Sequence, residues 1–287
     1  MSGQMGERPV FPTDGKAAFA GNSSSVAASP RPGAAGVRVM GTPRSGTNLA
    51  RHLIESYLGV PAVFDHGFWK HGVFPALMNG REIEHGGLPI VVMSKDPVTQ
   101  ILSWFRLARN GTIFRPNGNL GSFLRDPFEV RQDFTEPKRM EYRFRSPVDY
   151  WNQFYFAMDA LRRAGAPVHF MCYERLVSEP ALSLHMLSHF LGRAVPFDVR
   201  CRVEIPLHTL DANNDIGDAD THGRTPFDPA RAELASALAR IGRRNAGIIL
   251  RGIDEDVLAA TGRADFSATC RQAAGAMSML KSLVAFW

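Results

Sequence analysis

Three short apolar runs constrain this chain more than any other feature: VRVMG at 37–41, PIVVMS at 89–94 and VHFMCY at 168–173. Each has the length of a strand and is apolar at nearly every position rather than at every second one. A strand that is apolar on both faces is buried on both faces, the condition of a parallel sheet covered by helices. Helical patterns lie between the runs, and parallel neighbours need such crossovers, which are right-handed. The expected fold class is therefore α/β, three-layered, with a central parallel sheet flanked by helices.

The remaining elements follow from periodicity. A helix is expected over 47–58, where Leu49, Leu53, Ile54, Tyr57 and Leu58 make an apolar stripe, and a short strand over 61–64. Further helices are expected over 97–108, 147–164, about 180–191, near 229–250 and over 266–285, with no internal repeat. Residues 1–36 carry Gly, Pro, Ser and Ala without hydrophobic periodicity, so they are expected to form a disordered leader. Residues 37–287, long enough for a substantial core, are expected to form a single domain. The leader lacks the compact apolar core of a secretion signal, and no apolar stretch reaches the roughly 20 residues of a membrane-spanning helix.

The first strand runs straight into GTPRSGTN, residues 41–48. A strand, a tight turn and a helix together aim backbone N–H groups and a positive helix end at one point, which makes an anion site. Gly46 allows close approach, while Ser45, Thr47 and Asn48 bring hydroxyl and amide groups and Arg44 a planar cationic fork. An ordinary strand–helix turn remains the plain alternative for an octet. A triphosphate-binding loop would place Lys directly after Gly46, where Thr47 stands. The run 89–94 then ends in Lys95-Asp96-Pro97, with Ser103 eight residues after Lys95. In a parallel sheet the strand ends share one crevice, so Lys95 is expected beside the Arg44 loop and Ser103 along the same helix. Lys-Asp-Pro alone is also a common helix start; two such turns together suggest a ligand with two anionic groups.

At these residues the chain resembles the sulfotransferases that use 3′-phosphoadenosine 5′-phosphosulfate. Pro43-Arg44-Ser45-Gly46-Thr47 matches their phosphosulfate loop, and Lys95 with Ser103 matches their 3′-phosphate motif, with Lys in place of the usual Arg. CYERLVSEPALSLHMLSHFLG (172–192) resembles their Tyr-Glu-Asp-Leu segment, with Arg175 at the acidic position, and YWNQFY (150–155) the Trp-bearing helix before it. The resemblance covers roughly residues 37–195. It implies a P-loop-like nucleotide-binding fold, an enzyme that transfers a sulfuryl group to a hydroxyl acceptor such as a saccharide, and no metal. It also implies that Arg44, Ser45, Gly46, Thr47, Asn48, Lys95 and Ser103 hold the co-substrate.

A general base must take the acceptor proton. FDHGFWKHGVFP (64–75) lies where the family carries its base, and KHGVFP resembles the family's Lys-Thr-His-Leu-Pro, one residue shorter between Lys and His. His71 is the favoured base, with Lys70 beside the transferring group and Arg44 at the leaving phosphate. His66 is the second choice, Asp65 could orient or replace a histidine, and a purely structural His71 stays open. Arg224 in HGRTPF is a further candidate for the nucleotide site. The long, Gly/Pro-broken segment 109–147 is either an acceptor-binding loop or a solvated insertion.

The net charge of +5 and the sequence pI of about 9.4 agree with an anionic ligand, and the cations are too dispersed for a nucleic-acid or membrane patch. The C-terminal MSMLKSLVAFW is amphipathic and either caps the core or rests weakly on a membrane. The three cysteines, Cys172, Cys201 and Cys270, lie far apart, which fits a reducing, cytoplasmic setting better than disulfides or a zinc site. Two other readings stand beside the sulfotransferase: a P-loop kinase or nucleotide phosphotransferase, and a non-catalytic anion-binding module.

Overall fold

A computed structural model describes residues 36–64, 69–73, 87–108, 118–131, 141–194, 203 and 233–273. The apolar runs form strands in it. β1 (Val37–Gly41), β2 (Ala62–Val63) and β3 (Ile90–Ser94) come first, then a separate pair, β4 (Phe128–Arg131) and β5 (Glu141–Phe144), then β6 (Val168–Cys172). The helices are α1 (Thr47–Leu53), α2 (Pro97–Ala108), α3 (Leu120–Arg125), α4 (Pro147–Arg163), α5 (Tyr173–Ser178), α6 (Pro180–Phe190), α7 (Leu234–Gly252) and α8 (Glu255–Ala260). A π-helical stretch, Ile54–Leu58, extends α1, so the expected helix over 47–58 is continuous but changes its winding.

The central sheet has four parallel strands in the order β2-β1-β3-β6. Successive side chains point to opposite faces, and because both faces are apolar each strand feeds two cores. Met40, Ile90, Val92 and Val168 pack into a core with residues of α2, α4 and α7. Val37, Val39, Val91, Met93 and Met171 pack on the other side with Ala50 and Leu53 of α1 and Leu184 and Leu187 of α6. Helices on both faces of a parallel sheet make the three layers expected. Each fully buried aliphatic or aromatic side chain contributes about 1.5–3 kcal/mol, so the sheet is fixed from both sides.

Local signals set the helix starts that matter. Asp96 caps α2 by accepting from Thr99 N at 2.9 Å, and Pro97, needing no N–H partner, opens the helix. Ser146 caps α4 in the same way, accepting from Asp149 N at 3.1 Å, with Pro147 next.

The segment 109–147 is a correction. Its described part is no open loop: it holds α3 and the antiparallel pair β4–β5, with Phe128 opposite Phe144. Phe128 stacks on Trp104 at 5.8 Å and Phe144 lies 4.8 Å from the Tyr150 ring, so these two side chains are core. The α5 turn and α8 were also not expected. Leader residues 1–35, His66 and Asp65, Arg224 and the C-terminal segment 277–287 lie outside the described residues. Among those described, no helix is long and apolar enough to cross a membrane.

Candidate anion site at the carboxyl edge of the sheet

The strand order creates the site. The chain leaves β1 for β2 on one side and returns for β3 on the other, so the loops after β1 and β3 diverge across a switch point, where ligands bind in open α/β sheets. Those loops carry Arg44 and Lys95. In register, Gly41 lies opposite Met93, and Ser94 opposite Cys172, so the ends of β1, β3 and β6 form one edge.

The β1–α1 loop is tightly wound. Arg44 (φ 66°) and Gly46 (φ 94°) both take the left-handed conformation, with Ser45 between them donating its N–H to Thr42 O at 3.1 Å. Alternation of this kind aims successive N–H groups inward as an anion nest. Arg44 is a non-glycine residue in this region, a conformation that persists only where its surroundings enforce it. Gly46 is required on two counts, since a Cβ there would lie 2.5 Å from Cδ2 of Tyr173 and φ is positive. The loop is anchored from below: Pro43 O accepts from Gln100 Nε2 at 2.5 Å and from Trp104 Nε1 at 2.6 Å. Ser45 is fully buried, yet its Oγ has no hydrogen-bond partner among the described residues. Buried hydroxyls are normally satisfied, so this one is available to an incoming acceptor of hydrogen bonds.

Lys70 and His71 arrive at the same loop. Lys70 Nζ donates to Asn48 Oδ1 at 3.2 Å and lies 3.5 Å over the Phe64 ring, and Lys70 O accepts from Gly41 N at 3.1 Å. His71 Nδ1 is 2.5 Å from Gly41 O, so that nitrogen carries the proton and Nε2 keeps its lone pair. Burial, with help from the Lys70 charge, lowers the His71 pKa to about 3, so the ring is neutral at rest.

Lys95 is also buried, 7% exposed, with its ammonium 4.7 Å over the Tyr173 ring. Burial lowers its pKa; Asp96 and Glu174 work against this, and the charges of Arg44 and Arg106 add to it. Arg44 and Arg106 therefore each lie within electrostatic reach of Lys95. Ser103 is less committed to the anion than expected: its hydroxyl donates to Thr99 O at 2.9 Å, leaving only lone pairs.

Helix α4 supports the site through its aromatic tips. Tyr150 OH donates to His71 O at 2.7 Å, Trp151 Nε1 to Lys95 O at 3.3 Å, and Tyr155 OH to Met93 O at 3.1 Å. In YWNQFY the Trp carries the family resemblance, but three residues, Tyr150, Trp151 and Tyr155, hold the backbone of the site. A group that no sequence motif marks completes the edge. Arg263, buried, donates to Ser94 Oγ, Ser94 O and Glu174 Oε2, and Asp96 N donates to Glu174 Oε1 at 2.9 Å. Burial raises the Asp96 pKa to about 7, and the neighbouring Glu174 carboxylate adds to the shift. Burial also pushes Glu174 up, but Arg263 and the Asp96 amide outweigh it and hold the carboxyl below its usual range.

No protein-family model matches the chain, and no curated protein matches it.

Proposed function

We propose that this chain is a sulfotransferase that moves a sulfuryl group from 3′-phosphoadenosine 5′-phosphosulfate to a hydroxyl acceptor, on a P-loop-like fold. The observation that carries the reading is the pairing, on the adjacent ends of β1 and β3, of a left-handed loop whose Ser45 hydroxyl is buried with no partner among the described residues and a turn that carries the buried Lys95. Two anion-holding turns on adjacent strand ends suit a ligand with two separate anionic groups. The residues fit such a co-substrate, which would supply the activated sulfuryl group.

The roles then divide. Arg44, the Ser45 hydroxyl and the N–H groups of residues 46–48 hold the 5′ end, where charge on the leaving oxygen is stabilised by donors already in place. Lys95 holds the 3′ end. Lys70, fixed by Asn48, stands beside the loop as a second cation. His71 presents Nε2 as the proton acceptor, with Gly41 O holding Nδ1–H and Tyr150 holding the His71 carbonyl. An anion bound next to the ring favours its protonated form and lifts the low resting pKa toward the range useful to a base. Asp96 directs both carboxyl oxygens to Thr99, which makes it a helix cap rather than the free carboxylate a magnesium-dependent kinase would need. The thiols Cys172 and Cys270 are free, in keeping with a cytoplasmic setting.

The test is a thermal-shift series. Adenosine 3′,5′-bisphosphate without magnesium should raise the unfolding temperature, since a ligand selective for the folded state shifts unfolding by mass action. Stabilisation by ATP with magnesium and none by the bisphosphate would favour the kinase reading and overturn this one. Transfer of labelled sulfate to any sugar or phenol then separates an enzyme from a binding module.

A further inference from the structure

The geometry points to Arg263 as a positioning residue that fixes the Ser94-Lys95-Asp96 turn and so aims the Lys95 ammonium. This rests on Lys95 being the cation of the second anion site. Arg263 lies outside residues 37–195, over which the sequence resemblance is drawn.

Its delivery is local and specific. Helix α8 ends in a turn where Gly262 N donates to Ala259 O at 3.0 Å and Arg263 N to Leu258 O at 2.8 Å, with Gly262 at φ 76°. That is the paired hydrogen-bond closure of a glycine-terminated helix. It brings Arg263 to the end of β3 as a planar fork with both terminal nitrogens engaged. Nη1 donates to Ser94 Oγ at 2.7 Å and to Thr261 O at 3.1 Å; Nη2 donates to Ser94 O at 2.9 Å and to Glu174 Oε2 at 2.5 Å, with Cys172 Sγ at 3.2 Å.

The result is a turn with its backbone held at every step. Ser94 O is held by Arg263, Lys95 O by Trp151, Asp96 N by Glu174, and Asp96 O accepts from Gln100 N at 2.9 Å as α2 begins. Glu174 divides its two oxygens between Asp96 N and Arg263, so the guanidinium orients the carboxylate that holds Asp96 N. One guanidinium thus reaches both flanks of Lys95, Ser94 directly and Asp96 through Glu174. Lysine cannot replace it, because a single ammonium cannot span Ser94 and Glu174 in this fork geometry.

The experiment compares Arg263→Lys and Glu174→Gln with the native chain, after near-ultraviolet circular dichroism shows each variant folded. First, competitive acylation of the Lys95 amine is followed against pH by peptide mass spectrometry. In Arg263→Lys the released turn solvates Lys95 while Asp96 and Glu174 keep their carboxylates near it, so the pH at half-labelling should rise. Glu174→Gln also removes a carboxylate that raises the Lys95 pKa, so its midpoint should rise less than that of Arg263→Lys. An unchanged midpoint with a lowered melting temperature would mean Arg263 is only structural and would overturn the inference.

Second, adenosine 3′,5′-bisphosphate affinity is measured in a double-mutant cycle with Lys95→Ala. Arg263→Lys should weaken binding about tenfold or more, as for a charge-assisted hydrogen bond lost from a buried site, but should have little further effect in the Lys95→Ala background. Additive losses would overturn the inference. If the native chain does not bind the bisphosphate at all, the proposed function falls, while the labelling arm still decides whether Arg263 aims Lys95.

Discussion

The two turns that form the site are held in opposite ways. The β1–α1 loop is gripped by neutral donors: Gln100 and Trp104 on Pro43 O, with the neutral ring of His71 on Gly41 O. The β3–α2 turn is gripped by charges: Arg263 on Ser94 and Glu174 on Asp96 N, beside the buried Asp96 carboxyl. A neutral grip responds to packing and little to salt. A charged grip responds to pH and to the loss of any single partner, because an unpaired buried charge is costly. The contrast predicts which perturbations each turn feels.

The largest effect should come from the neutral side. Trp104 is fully buried between α2 and the aromatic cluster, so Trp104→Ala should cost about 3–5 kcal/mol in urea unfolding. Trp104→Phe keeps most of the volume but removes the donor to Pro43 O. Gln100 still serves that carbonyl, so the loss should be about 1 kcal/mol. Equal losses in the two variants would mean that the indole N–H, not packing, dominates, and the contrast would need redrawing.

The second prediction sets the two turns against each other by pH. His71 has its pKa lowered to about 3 in the folded state, so the unfolded chain takes up the extra proton between about pH 6.5 and 3. Stability held above that window is lost as pH falls through it, at about 1.4 kcal/mol per pH unit for one group. Asp96 is raised to about 7, so here the folded state takes up the extra proton. The stability it gives is fully present below about pH 4 and is lost as pH rises toward 7. Between pH 4 and 6.5 the slopes oppose each other in the native chain. His71→Gln should leave stability falling with rising pH in that window, and Asp96→Asn should leave it rising. Urea midpoints at half-unit pH steps decide; parallel profiles for the two variants would show that the turns are not oppositely poised.

The same contrast explains what could be read from the residues. β1, β3, β6 and α2 are legible because their apolar runs and the Asp96-Pro97 start are local. The 41–48 loop is legible because a phosphate-type nest is encoded in adjacent residues. Arg263 is not, because its partner Ser94 is 169 residues away and nothing around Arg263 marks it as buried. β4 and β5 were hidden because their phenylalanines stand among arginines and prolines, and only packing on Trp104 and Tyr150 makes them strands. His71 was legible as a candidate; that its ring is held neutral by burial was not, since burial is a property of the fold.

The third prediction concerns ligand discrimination. Lys95→Ala should weaken adenosine 3′,5′-bisphosphate binding by about 1.5–3 kcal/mol, the worth of a charge-assisted hydrogen bond. Adenosine 5′-phosphosulfate, which has no 3′-phosphate, should be nearly unaffected. Arg44→Ala should weaken both. Isothermal titration of the two ligands against the two variants gives the answer, and a uniform loss across all four pairs would remove the separation into a 5′ turn and a 3′ turn.

The smallest stability effect is the most pointed. Ser45→Ala removes a hydroxyl that is fully buried and has no partner among the described residues. A buried hydroxyl without a hydrogen bond is a cost to the folded state, so Ala should leave the urea midpoint unchanged or raise stability by up to about 1 kcal/mol. A conventional structural serine at a helix start would instead lose about 1 kcal/mol on the same change. Anion affinity should move the other way, falling several-fold, because the hydroxyl then has nothing to offer a bound oxygen. Stability and binding that fall together would mean that Ser45 is a partner of the resting loop. Stability that holds while binding falls would mean that the loop is built with an unmet donor, which is the behaviour expected of a turn shaped for a ligand.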